Sequence, residues 1–228
     1  MRHLTLDLLG KKAAGSARRV LDVGCGTGLF LAECLASGVR ESGVGVDAHL
    51  EALAYARQCS NEHVVAASAA ALPFLPETFD IIHCADVLQH MTLAESRQAL
   101  CRFADLLKPG GCLALRLRAR RLFRNSPDTN FSHSFRRSGI RQTLERLGLR
   151  VVFLSHVNLL PSLATDIAGL VRRPTDDAPV KGIHLRQTAD IRSRVLGSYL
   201  ALERAWLVRT DIALPAGHTL LCVARKDT

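Results

Sequence analysis

The stretch RVLDVGCGTGLF, residues 19–30, runs from an apolar segment into three glycines at alternate positions, Gly24, Gly26 and Gly28. The segment reads as a short strand, and the glycines as a turn that lets a backbone come close to a ligand. Outward from this turn, strand and helix signals alternate. Residues 29–38 read as a helix stopped by Gly38, 42–47 as a strand closing on Asp47, and 50–60 as a helix. Residues 63–68 and 79–86 read as strands, 93–111 as a helix ended by Pro109 and the Gly110-Gly111 pair, and 112–119 as a fifth strand. This alternation predicts an α/β fold with a parallel sheet, helices on both faces and right-handed crossovers.

After residue 118 the pattern loosens. Residues 118–134 are basic and polar, contain Ser126-Pro127, and read as a loop. A helix at 138–148, a strand at 149–157, a helix at 162–173, a loop from Pro174 to Pro179, a long helix at 188–210 and a last strand at 218–226 follow.

The chain has 228 residues, of which 48% are hydrophobic, enough for the core of one large α/β domain. Mean hydropathy is +0.12. No uncharged apolar run reaches membrane-spanning length, and the first residues lack signal-peptide architecture, so a cytoplasmic protein is expected. The seven cysteines are scattered and form no CxxC pair. That pattern points to neither a metal site nor a disulfide framework. The net charge of +9 admits an acidic partner such as nucleic acid. Against this, the arginines are spread along the chain, with one dense run at Arg116, Arg118, Arg120, Arg121 and Arg124, and aromatics make up only 5%. Stacking platforms for single strands are therefore scarce.

The glycine turn must lie at the carboxyl end of the first strand, where open α/β sheets bind ligands. Its spacing is GxGxG rather than the GxGxxG of dinucleotide sites, and Asp22 two residues upstream repels a pyrophosphate while suiting a cation. A phosphate loop would need Gly-Lys-Ser/Thr, and Leu29-Phe30 stands instead. VLDVGCGTG resembles the first motif of the class I S-adenosylmethionine (SAM)-dependent methyltransferases. GVGVD, AALPFLPETFDIIHCADVLQHM and LLKPGGCLAL are similar to later blocks of that family, in order and spacing. The likeness covers residues 19 to about 118. The tail is similar, more weakly, to a small-molecule subgroup (methyltransferase type 11/12-like) met in lipid, saccharide and natural-product pathways.

The resemblance implies a Rossmann-like, doubly wound seven-stranded sheet of order 3-2-1-4-5-7-6, mostly parallel with an antiparallel last strand. It implies one domain over 1–228, with a SAM-binding half at 1–118 and a substrate-side half at 119–228. Relatives carry more helical material ahead of the first strand, so a lid is expected from insertions at 119–140 and 158–216, or from a partner subunit. Cofactor contacts are implied at Asp22, Gly24, Cys25, Gly26, Gly28, Asp47, Ala48, Ser68, Ala69, Cys84 and Ala85. In this picture Asp22 helps hold the ammonium of SAM directly or through water, glycine N–H groups meet its carboxylate, and Asp47 accepts the ribose hydroxyls. One departure stands out: Ser68 occupies the place where the family commonly has an acid for the adenine amino group. A neutral acceptor makes a weaker bond. Leu72 and Phe74 are candidates for the adenine wall, or for the core.

Methyl transfer from a sulfonium is an in-line displacement, so much of the catalysis lies in positioning. A base is required only where the acceptor loses a proton. His133, His90 and Asp86 are the catalytic candidates, with His133 the preferred base; His83 reads as a packing residue, and His156 and Asn158 as pocket candidates. The Asn/Asp-Pro-Pro-Tyr block of amino-methylating enzymes is lacking; HCAD stands there. Three readings stay open. The first is a methyltransferase acting on O, N or C of a small molecule in specialised-metabolite or envelope biosynthesis, as monomer or homodimer, producing S-adenosylhomocysteine. The second is an RNA methyltransferase. The third is a protein of the same fold that uses SAM structurally or catalyses a non-methylating reaction.

Overall fold

Val20, Leu21 and Val23 of β1 (Arg19–Val23) are all buried, because this strand sits in the middle of the sheet. Near-continuous apolar runs are what a parallel strand covered on both faces requires. In the computed structural model, described for residues 2–12, 19–39, 41–60, 63–120, 133–171, 191–210 and 212–227, seven strands form one sheet. Its members are β1, β2 (Ser42–Asp47), β3 (His63–Ala66), β4 (Phe79–Ala85), β5 (Leu107–Arg118), β6 (Leu149–Val157) and β7 (Thr219–Lys226). The order is β3-β2-β1-β4-β5-β7-β6. All pairs are parallel except those of β7, which runs antiparallel to both β5 and β6. The expected order and the antiparallel last strand are both present.

Side-chain alternation divides the core. Leu21, Ile82, Leu113 and Leu115 face α4 (Leu93–Leu106) and α5 (Arg137–Arg146), meeting Leu100, Phe103, Ile140 and Leu144. Val20, Ile81, Cys112 and Ala114 face the opposite side, where α2 (Leu29–Ala36) supplies Phe30 and Leu31. Further helices are α3 (Leu50–Ser60), α6 (Leu159–Val171) and α7 (Ile191–Thr210). α4 starts with a capping box, Thr92 with Glu95.

Two expectations need correcting. α4 ends at Leu106, not at Pro109, and Lys108-Pro109-Gly110-Gly111 belongs to the start of β5. Gly111 lies there because a Cβ would sit 2.9 Å from the Lys108 carbonyl oxygen and 3.1 Å from that of Asp80. The irregular register between Phe79 and Ile81 marks the same bulge. The second correction is a helix the sequence did not signal, α1 (Arg2–Lys12). Its Leu6 and Leu9 pack with Phe30 and Leu31, while Leu4 and Leu8 pack with Phe153 and Leu207. The helix is wedged between two apolar surfaces, and Asp7 holds Arg204 of α7 through two hydrogen bonds.

Candidate active site

The turn after β1 is built on left-handed backbone. Gly24, Gly26 and Gly28 have φ of 74°, 53° and 75°. At Gly24 a Cβ would also meet Val87 Cγ2 at 2.1 Å, so the glycine lets the start of the 88–90 helical turn close over β1. At Gly26 a Cβ would meet nothing within 4 Å.

Beyond this turn lies a cavity of about 390 Å³ at the junction where strand order reverses between β1 and β4. Val23 and Gly24 line it from β1, and Val46, Asp47, Ala48 and His49 from β2. Ala67, Ser68 and Ala69 come from the loop after β3. Ala85, Asp86, Val87, His90 and Met91 close the far side after β4. The structure therefore brings together Gly24, Asp47, Ala48, Ser68, Ala69, Ala85, Asp86 and His90 from the sequence candidates.

The other candidates lie elsewhere. Cys25 points into a small core cluster with Leu53, Ala56 and Val64, and its sulfur fills the space a Cβ on Gly45 would need. Cys84 is buried in the main core. Asp22 sits behind the cavity wall, 2% exposed, with His83 Nδ1 at 2.7 Å from its Oδ1. Gly26 and Gly28 shape the turn without lining the cavity. His133 is buried, its Nε2 3.4 Å from Ser96 Oγ, its ring against Phe135, and it does not reach the cavity. Leu72 and Phe74 belong to the core, where Phe74 meets Phe79 edge-on. His156 lines a separate cavity of about 30 Å³ with Arg120, Ser162, Asp166 and His218. Burial holds its imidazole below the usual range, aided by the charge of Arg137 and opposed by its hydrogen bond with the Leu214 carbonyl. Residues 121–132 and 172–190, which include Arg121, Arg124, the Pro174–Pro179 loop and much of the expected lid insertions, lie outside the described residues.

Sequence reasoning missed Val23, Val46, His49, Ala67, Val87 and Met91. His49 was findable, two residues past Asp47; Val87 and Met91 carry no chemical signal. Asp47 Oδ2 accepts from Gly26 N–H at 2.9 Å, while Oδ1 accepts from His49 N–H at 2.9 Å and lies 3.2 Å from the His49 ring. Burial acts to raise the Asp47 carboxyl, but the two backbone N–H donors and the His49 ring outweigh it and hold the group below its usual range. Asp86 has φ 59° and is gripped at Oδ2 by Arg116 Nε at 2.8 Å and Nη2 at 2.6 Å. That pairing takes Arg116 out of the basic run.

The charge around the cavity is negative. Cys25 is pushed up to about 12, first by burial and then by Asp22 and Asp47. Cys84 is raised by burial, with Asp22 and Asp86 adding. These thiols are inert, since the thiolate is the nucleophile. The turn's amides are committed internally: Gly24 and Cys25 donate to the Val46 carbonyl, Gly26 to Asp47, and Gly28 to the Cys25 carbonyl. The turn thus gives a ligand room rather than a row of free donors. Carboxylates on two walls, Asp47 and Asp86, and a glycine gap fit a ligand that carries positive charge. An adenosine sulfonium amino acid carries such a charge.

A seven-stranded sheet of this order, with its cavity past the first glycine turn, is the fold of class I SAM-dependent methyltransferases. Residues 20–111 match a family described as "Methyltransferase domain". A curated ubiquinone biosynthesis O-methyltransferase from Aromatoleum aromaticum is 34% identical over 115 residues, 47% of this chain and 47% of that protein. The chain thus aligns over about half the length of the curated relatives it matches. Among solved structures, the [4+2]-cyclase SpnF superposes with a TM-score of 0.65 at 19% identity, covering 100% of this chain and 81% of that one. Phosphoethanolamine N-methyltransferase 2 of Haemonchus contortus, solved with SAM, also gives 0.65, at 16% identity, covering 99% and 53%. Residues 20–111 thus resemble a methyltransferase domain, and the chain shares the fold of these solved structures. Among the described residues, no helix is long and apolar enough to cross a membrane and no cluster of residues suits a metal ion.

Proposed function

We propose that this protein is a SAM-dependent methyltransferase acting on a hydroxyl oxygen of a small molecule. The observation that carries the cofactor is the cavity at the β1–β4 junction, with Asp47 on one wall and Asp86 on the other. The acceptor oxygen rests on the curated relative named as an O-methyltransferase. When bound, SAM supplies an activated methyl group on a sulfonium. The chain's own part is to hold and orient. Asp47 keeps lone pairs for ribose hydroxyls. Ser68 Oγ already accepts from Ala70 N–H at 3.3 Å and retains a lone pair and its proton for the adenine edge.

On the acceptor side, Asp86 and His90 both face the cavity. Arg116 occupies one oxygen of Asp86, leaving Oδ1 to orient or accept from a hydroxyl. His90 is exposed at the cavity rim and can accept a proton from an acceptor bound there. His90 therefore replaces the buried His133 as the base candidate.

The test is transfer of labelled methyl from SAM to a panel of phenols, catechols and aliphatic hydroxy acids. Labelled ether product is expected with at least one, and His90→Ala should slow turnover while calorimetric affinity for S-adenosylhomocysteine stays unchanged. Binding of S-adenosylhomocysteine without transfer to any hydroxyl would remove the oxygen acceptor; absence of binding would remove the cofactor.

A further inference from the structure

Asp22 and His83 are polar residues set inside apolar runs, VLDV and IIHC. The sheet places them in direct register on its two central strands, β1 and β4. They are 2% and 6% exposed. His83 Nδ1 lies 2.7 Å from Asp22 Oδ1, and Phe30 of α2 stacks on the imidazole at a centroid distance of 3.6 Å. A carboxylate only accepts, so Nδ1 is the donor. The stacked ring has little freedom to turn away.

Packing alone does not call for this pair. Two apolar side chains at such positions usually serve stability as well as or better than a buried charged pair. What the pair adds is a fixed carboxylate behind the glycine turn. Its charge is felt at the thiols of Cys25, within the turn, and of Cys84, beside Ala85 in sequence. His83 donates to one oxygen of Asp22. Asp22 immediately precedes Val23 and Gly24, which line the cavity.

We propose that His83 is a positioning residue for cofactor binding: by clamping Asp22 Oδ1 it fixes the orientation of the carboxylate, so that Oδ2 holds the α-ammonium of an S-adenosyl amino-acid ligand through a water. The inference rests on the SAM reading above. It assigns His83 a role in recognising one group of the ligand, and none toward ribose or adenine, which meet Asp47 and the loop after β3.

The experiment compares S-adenosylhomocysteine with its deaminated analogue, in which hydrogen replaces the α-ammonium, by calorimetry. Wild-type protein should prefer S-adenosylhomocysteine. His83→Leu should weaken that ligand about tenfold, ~1.4 kcal/mol, and leave the analogue unchanged. His83→Asn returns an N–H donor at the same distance from Cβ as Nδ1 and should recover most of the preference. Equal weakening of both ligands, unchanged binding of both, or an Asn variant that has lost the preference would overturn the proposal. Should the Leu variant not fold, the Asn variant decides alone: preference kept supports it, preference lost overturns it. A wild type that binds both ligands equally overturns the role of His83 while the SAM reading stands; one that binds neither ends both.

Discussion

Gly24 and Gly26 share a left-handed backbone but not a neighbourhood, and this separates what each contributes. Placing a side chain on left-handed backbone costs about 1–2 kcal/mol. Gly26→Ala meets only that, because nothing lies within 4 Å of the new Cβ. Gly24→Ala meets it and also drives a methyl to 2.1 Å from Val87 Cγ2, adding about 1–3 kcal/mol of overpacking. Urea unfolding should therefore show Gly24→Ala as clearly the more destabilised; equal losses would mean that Val87 yields freely. Asp47 sets a second residue-scale expectation. Its folded carboxyl is held below the ordinary 3.8. A lowered pKa means stability that is fully present above 3.8 and lost as pH falls through the folded value. In an acid titration followed by circular dichroism, Asp47→Asn should lose less stability below pH 3.8 than the wild type; parallel curves would mean that the Gly26 and His49 contacts do not persist in solution.

At the scale of elements, the N-terminus of α6 is capped from another helix. Asn158 N–H, on left-handed backbone with φ 63°, donates to Glu203 Oε1 at 2.6 Å, and Leu159 N–H donates to Oε2 at 3.0 Å. Tyr199 OH donates to Oε2 as well. Glu203 is 8% exposed, so it ties α7 to α6 from inside the fold and places negative charge at a helix N-terminus. Glu203→Gln keeps the shape and removes the charge; it should cost about 1.5–3 kcal/mol in urea unfolding, on the scale of hydrogen bonds to charged groups. A change within about 0.5 kcal/mol, typical of exposed surface sites, would show that the cap is replaced by water. This long-range cap was illegible in the sequence, because Asn158 and Glu203 are 45 residues apart. The same reason hid α1. A helix pressed between α2 and α7 buries Leu4, Leu6, Leu8 and Leu9 around its circumference and so shows no single apolar stripe. The β5 boundary was misread because Pro109 and Gly110-Gly111, ordinary loop signals, here form the bulge that starts a strand. By contrast β1 to β4 were legible, since each is a short apolar run closed by a turn or a charged residue. In the site, Asp47 and Asp86 were legible as carboxylates at strand ends. The burial of His133 was not, because it depends on Gln89, whose carbonyl accepts the His133 N–H across the fold.

For the whole molecule, the sheet order decides where a ligand couples to stability. The cavity draws on β1, β2, β4 and the loop after β3, which together make up the half of the sheet that includes its two central strands. A ligand seated there bridges segments from Val23 to Met91, so it binds the folded chain and finds no equivalent in the unfolded one. Ligand at 100 times its Kd then stabilises by ~2.7 kcal/mol. For a chain of this size each kcal/mol moves Tm by about 2–4 °C. S-adenosylhomocysteine at that level should raise Tm by about 5–11 °C in a thermal melt. Asp47→Ala removes the proposed acceptor for the ribose hydroxyls while leaving the other walls in place. If its affinity falls about tenfold, the same ligand concentration yields ~1.4 kcal/mol, and the rise shrinks to about 3–6 °C. The comparison uses the increment between ligand-bound and ligand-free forms of each protein, so any loss of intrinsic stability in the variant cancels. Equal increments in the two proteins would place the ligand away from Asp47, and with it away from the β1–β4 junction.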